Sequence, residues 1–353
     1  MFDADFGNPS NSPGLNETGL KLKEIGLGNQ VKGSLRIDRL TLLLEVNEFD
    51  QETVVPHVYA PKYDPDMAGA DGIVPAGSKA KQGATAALHA KVPVSTNPLI
   101  WSQANAATVQ VRSKATEFGK KRFLRVEFSP LGLTPEGFGH LYDHLLRGYL
   151  FLSHQEILAA RVSRVDAAFD LHGVRLQNYA WTVANRSVAR SWVNKGVLQT
   201  LYLGSQKHNA PCFYDKGAQQ KLDESAAWTR LEMRPDPKMA LATLSALKNP
   251  FNAVSVHDVR AACAKRGLAV PLQEMALAFA QLRGVRRLPE LFPGTKGPGG
   301  NPAPRVLWDK ALEASVPGWW KPEAIWQLWP LALAFAMPPI FGGIQGAAEM
   351  TMA

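Results

Sequence analysis

Cysteine is nearly missing: Cys212 and Cys263 are the only two in a chain of 353 residues. Two thiols are too few for a disulfide framework or a cysteine zinc site, and such scarcity suits a reducing cytoplasm. The first residues, Met1-Phe-Asp-Ala-Asp-Phe-Gly-Asn, lack the basic-then-apolar design of a secretory signal, so export is not expected. Charge is missing at the other end, where no charged residue stands between Glu323 and Glu349. The run Ala324 to Ile344 is long enough to span a bilayer, but Gln327, Pro330, Pro338 and Pro339 argue against a regular span. Packing on the domain, or a loosely held end, is expected ahead of membrane contact.

What is present fits a globular protein. The hydrophobic fraction of 46% supports an ordinary core, and the formal charge of +8 favours a polyanionic partner such as nucleic acid. Residues 1–33, rich in Gly, Asn, Ser and Pro, read as a flexible arm. A principal domain is expected over 34–250, interrupted at 64–97 by a Gly, Ala and Lys-bearing loop insertion. A helical extension over 251–293 follows, then a linker and apolar tail over 294–353.

Within the principal domain, strands are expected at 36–46, 108–112, 122–128, 161–172, 200–203, 211–215 and 228–234, and helices at 134–146, 178–194 and 236–247. Further on, Ser255-Val-His-Asp258 resembles a capping box, and a helix runs from Pro271 to near Gly284. The pattern Arg36-Ile-Asp38 followed by Arg125-Val-Glu127 recurs as Arg164-Val-Asp166 followed by Arg230-Leu-Glu232. The fold class is therefore α+β, mainly antiparallel sheet backed by helices, with two related halves and a helical C-terminal extension.

Candidate chemistry concentrates between Arg161 and Arg234. Side chains alternate along a strand, so Arg164, Asp166, Asp170 and His172 share one face, opposite Val165, Ala167, Phe169 and Leu171. By the same alternation Arg230, Glu232 and Arg234 share a face, as do Cys212, Tyr214 and Lys216. Asp166, Asp170 and Glu232 are the donor type that holds Mg²⁺ or Mn²⁺. The competing reading is a salt-bridged ladder worth about 0.2–1 kcal/mol per pair. A tyrosine beside such a metal and a lysine attacks a phosphate; the alternative for Tyr214 is an aromatic packed on a strand. Gly204-Ser-Gln-Lys207 is a candidate phosphate-contacting turn, and Asp38, although it repeats the Arg-x-Asp pattern, is left outside the site.

Arg164-Val-Asp-Ala-Ala-Phe-Asp170, Leu203-Gly-Ser-Gln-Lys207, Phe213-Tyr-Asp-Lys216 and Arg230-Leu-Glu-Met-Arg234, in that order, resemble the signature of rolling-circle replication initiators of the Rep_trans plasmid type and of filamentous phages and prophages. The resemblance covers roughly 36–247. It implies a cytoplasmic protein of a bacterial host, a metal-dependent nickase that cuts one origin strand, remains on the 5′ phosphate through tyrosine and frees a 3′ hydroxyl. By the same resemblance Tyr214 is the nucleophile, Lys216 and Arg230 contact phosphate, Asp166, Asp170 and Glu232 are metal ligands, and Mg²⁺ or Mn²⁺ is the cofactor. The implied partners are origin DNA, single-stranded at the nick, with host helicase and polymerase. The His-hydrophobic-His motif of other rolling-circle enzymes is absent. Two rival readings remain: a metal nuclease in which water attacks, and a non-catalytic origin-binding or copy-control protein.

Overall fold

The computed structural model describes residues 22–45, 74–75, 88–92, 107–112, 123–130, 140–149, 152–186, 188–204, 210–223, 226–292 and 304–341. Its frame is an antiparallel sheet. The strands are β1 (Glu24–Gly28), β2 (Val31–Glu45), β3 (Val74–Pro75), β4 (Leu88–Val92), β5 (Ala107–Arg112), β6 (Phe123–Phe128), β7 (Arg161–His172), β8 (Ala180–Val183), β9 (Val188–Asn194), β10 (Val197–Leu203), β11 (Cys212–Asp215), β12 (Trp228–Met233), β13 (Met239–Ala240) and β14 (Val254–His257). Twelve of them form one sheet, with main path β3-β4-β5-β6-β2-β7-β12-β11-β10-β9, while β14 and β8 pair separately.

That order has a seam at β2/β7. On one side β2 is followed by β3, β4 and β5, and β6 returns to pair with β2; on the other, β7 is followed by β9, β10 and β11, and β12 returns to pair with β7. The repeated charge pattern in the sequence thus corresponds to a repeated strand path. In the cross-strand register Tyr214 faces Arg230, and Gln110 faces Arg125 at the equivalent place in the first half.

The long central strands follow from their composition. Val165, Ala167, Phe169 and Leu171 of β7 are all fully buried, as are Leu40 of β2, Leu124 and Val126 of β6, and Leu231 of β12. Removing side chains of the Val, Leu or Phe class from water contributes about 1.5–3 kcal/mol each. Phe169 lies over Gly33 so closely that a Cβ there would stand 2.1 Å from Cζ of the ring. The glycine is what lets β2 and β7 pair beneath an aromatic ring.

The described α-helices are α1 (His154–Ala159), α2 (Lys216–Gln219), α3 (Val259–Lys265), α4 (Val270–Arg283), α5 (Leu288–Leu291), α6 (Pro304–Glu313), α7 (Pro322–Trp326), α8 (Trp329–Ala336) and α9 (Pro338–Phe341). The described part of the uncharged C-terminal run, to Phe341, packs on the domain. Helices α7 and α8 lie against β2, and Ile325, Trp329 and Leu333 are buried in the same core as the sheet. Indole N–H groups of Trp326 and Trp329 donate to the carbonyls of Leu247 and Leu244 at 3.1 and 3.0 Å. No described helix is long and apolar enough to cross a membrane. A second, smaller core joins α3, α4, α5 and α6 around Trp308.

Several local expectations are corrected. Residues 178–194, expected as a helix, hold β8 and β9 instead. Lys195 and Gly196 both have positive φ, at 49° and 78°, and close a two-residue hairpin between β9 and β10, so tertiary pairing overrides the helical periodicity. The helix expected over 236–247 is reduced to a 3₁₀ turn at Leu241–Ala246, because Met239 and Ala240 pair with the start of β7. Ser255 to His257 belong to β14, and Asp258 caps α3 by accepting from the Ala261 amide. Within 1–33, β1 forms a hairpin with β2, and within 64–97 stand β3 and β4. The expected helix start at Thr134 lies outside the described residues, which show a π-helix at His140–Tyr149. Gly204 is described, but Ser205, Gln206 and Lys207 lie outside the described residues.

Candidate active site

Strand pairing assembles the charged face from four neighbouring strands. Ser34 of β2 faces Asp170 of β7, Asp170 faces Arg230 of β12, and Arg230 faces Tyr214 of β11. The adjoining row runs Arg36, Ala168, Glu232, Cys212 and Tyr202. Alternation along each strand puts both rows on one side of the sheet.

The Tyr214 hydroxyl donates to Oε1 of Glu232 at 2.8 Å, and Arg234 donates to Oε2 of the same carboxylate at 2.8 Å. Burial first, then the Glu232 charge, push the phenol well above its ordinary pKa. Unaided, Tyr214 is therefore a protonated donor, and ionising it requires cations beside it and a base to take the proton. Both are at hand. Glu232 is within hydrogen-bond reach, and Nζ of Lys216 stands 5.8 Å from the centroid of the Tyr214 ring. Lys216 begins α2, where Asp215 caps the helix, so the end of β11 brings lysine and tyrosine to the same place. Burial and the Arg230 charge lower the Lys216 pKa to about 8, and its ammonium donates to Oε1 of Gln219 at 2.7 Å.

Arg230 is fixed on two sides. Its Nε and one terminal nitrogen donate to the two oxygens of Asp170 at 2.7 and 2.9 Å, and its other terminal nitrogen donates to Asp38 at 3.1 Å. Asp170 also receives Arg36 at 2.6 Å and the Trp228 indole N–H at 3.0 Å, and it is fully buried. Burial alone would raise its pKa, but the two arginines and these hydrogen bonds more than offset that and hold the carboxyl below its usual value.

As a ligand set for a divalent cation, Asp166, Asp170 and Glu232 do not fit this arrangement. Four donor nitrogens fill both oxygens of Asp170. Asp166 is bound through both oxygens by Arg164, at 2.8 and 2.7 Å, and has Arg234 at 3.7 Å. Glu232 is the only one of the three bonded to the tyrosine hydroxyl. Among the described residues no group of three or more His, Cys, Asp or Glu side chains is placed to hold a metal ion. The structure brings Tyr214, Lys216, Arg230 and Glu232 together; Asp170 stands beneath Arg230, and Asp166 is joined to the site through Arg234.

Sequence reasoning left out Asp38. It is the extra residue of a β-bulge: Ile37 pairs with Ala167 and Arg39 with Asp166, which leaves Asp38 without a partner position on β7. Bulges re-aim side chains, and this one carries the Asp38 carboxylate to Arg230. Burial raises its pKa; Arg230 opposes that rise and the nearby Glu232 charge adds to it. The available signal was the Arg36-Ile-Asp38 echo of Arg164-Val-Asp166. Cys212 and Tyr202 hydrogen-bond one another beside Glu232, and burial pushes both up to about 12.

No family model matches the chain, and no curated protein matches it. Among solved structures, one described as a rolling circle replication initiator protein from Geobacillus stearothermophilus is similar over 80% of this chain and 96% of that chain, with 13% identity and a TM-score of 0.31. That is a distant resemblance.

Proposed function

We propose that this protein initiates rolling-circle DNA replication by cutting one strand at an origin, with Tyr214 as nucleophile. The observation that carries the reading is the Tyr214 hydroxyl donating to Glu232 at 2.8 Å beside Lys216 and Arg230: a phenol, a base and two phosphate-binding cations in one place. The ordered signature from Arg164 to Arg234 supports the same reading.

The phenol oxygen attacks the scissile phosphorus as its proton passes to Oε1 of Glu232. The P–Oη bond forms and the P–O3′ bond breaks, leaving a 5′ phosphotyrosine; the departing 3′ oxygen takes a proton from water. Arg230, held by Asp170 and Asp38, and Lys216 bind the non-bridging phosphate oxygens, where charge accumulates. Arg234 holds the Glu232 carboxylate aimed at the phenol. Because the three expected carboxylates do not fit a metal, no step here passes through one.

A second reading, a non-catalytic DNA-binding protein on the same fold, is favoured by the burial of Arg230 and its pairing with both Asp170 and Asp38, which leaves its guanidinium little open to a phosphate. Incubating wild type and Tyr214→Phe with a single-stranded origin oligonucleotide, with and without Mg²⁺ or Mn²⁺, separates the two. A covalent protein–DNA adduct from wild type alone is expected. Binding with no cleavage by either protein would favour the second reading, and cleavage by both without adduct would indicate attack by water.

A further inference from the structure

The sheet face that carries Tyr214 continues to an exposed edge with a different chemistry. In register, Tyr214 faces Thr200 of β10 and Thr200 faces Trp192 of β9; in the next row, Cys212 faces Tyr202 and Tyr202 faces Arg190. Trp192 and Arg190 therefore project from the same side of the sheet as Tyr214, two strands away, a distance of about 10 Å at the usual spacing of about 4.8 Å between strands. Strand β9 ends the sheet path, Trp192 is 56% exposed, and Arg190 is exposed as well. A large aromatic in water on an edge strand invites association, which is why such edges usually carry charge or proline instead. The hairpin adds Val193 and Val197, also exposed, with Lys195 at its turn.

We propose that β9 is a landing platform for single-stranded DNA, on which a base next to the scissile phosphate stacks against Trp192 while Arg190 binds the adjoining backbone phosphate. The inference rests on the function proposed above and names where the unpaired strand lies. An indole face accepts any base, and a flanking arginine supplies the charge that tracks the backbone. Paired duplex has no free base face to offer, so the platform selects the unpaired strand. Arg230 and Lys216 hold the scissile phosphate, and the platform sets the direction in which the chain leaves it.

The test measures binding of a labelled single-stranded oligonucleotide by anisotropy in a Tyr214→Phe background, where no chemistry intervenes. Trp192→Ala is expected to weaken binding about 5- to 150-fold, the range found for losing one base–aromatic stack. Its salt dependence should stay unchanged. Arg190→Gln should also weaken binding and make the slope of log K against log salt shallower by about 0.7, one phosphate contact on a single strand. Unchanged affinity for Trp192→Ala, with wild type still forming the adduct, overturns the platform and leaves the proposed function standing. No binding of single strands by the Tyr214→Phe protein overturns both. If Trp192→Ala converts a dimer to a monomer in sedimentation without altering affinity, the edge is a contact between copies and the platform is overturned.

Discussion

Arg230 and Asp170 stand directly opposite each other on neighbouring strands and join through two parallel N–H···O bonds, with the carboxylate sealed from solvent. The pair costs desolvation on both sides, and it fixes the guanidinium beside Tyr214. Arg36 and Trp228 complete the cage, so Asp170 serves the site by holding another residue.

Asp170→Asn should therefore act on stability before activity. Removing one partner of a buried pair leaves the other uncompensated, at about 3–5 kcal/mol. Urea denaturation should show a lower midpoint at constant m-value. A midpoint equal to that of wild type would mean that Arg230 finds another partner.

Glu232→Gln should behave in the opposite way. The side chain keeps its shape but loses the ability to take the phenol proton, so adduct formation should slow by about 10²- to 10⁴-fold. Thermal unfolding near that of wild type, measured on the same preparation, would assign the loss to chemistry. Full activity would remove Glu232 from the proton path.

Lys216 gives the site a pH limit. With its pKa lowered to about 8, the ammonium is lost as pH rises through that value, and oligonucleotide affinity should fall there. Stability moves the other way. The folded pKa lies below the unfolded value of 10.5, so between the two the unfolded chain binds more protons, and this group's contribution to folding improves as pH rises. Deprotonation of Lys216 would therefore not itself unfold the protein. Lys216→Arg, whose charge persists beyond pH 12, should move the fall upward; an unchanged profile would exonerate the lysine.

Trp329→Ala tests the C-terminal helices. The indole is buried in the core and bonded to the Leu244 carbonyl, so truncation should cost about 3–5 kcal/mol, a core penalty for a residue in an uncharged, membrane-like run. Differential scanning calorimetry would measure it, and a negligible shift would show that the helices do not contribute to the domain's stability.

Strands β7, β10, β11 and β12 were legible in the sequence because alternation leaves little choice of face: the expected strand at 161–172 has the bounds of β7. That Tyr214, Arg230 and Glu232 lie on polar strand faces was legible for the same reason. What alternation cannot convey is which side chain meets which. Asp166 and Asp170 have the composition of ligands; the structure shows Asp166 bound by Arg164 two residues along its own strand, and the cross-strand register shows Asp170 bound by Arg230. Asp38 escaped because a bulge depends on two strands at once. The β9–β10 hairpin escaped because a helical period over 178–194 masked the Lys195-Gly196 turn.

The packing of α8 on β2 has a consequence for synthesis. On the ribosome β2 emerges among the first described segments, whereas the helices that cover it emerge nearly 300 residues later. Until then the apolar side of a central strand lacks its cover, and contacts this distant in sequence form slowly. A nascent chain stalled before residue 322 should bind holdase chaperones, and release through residue 341 should free it from them.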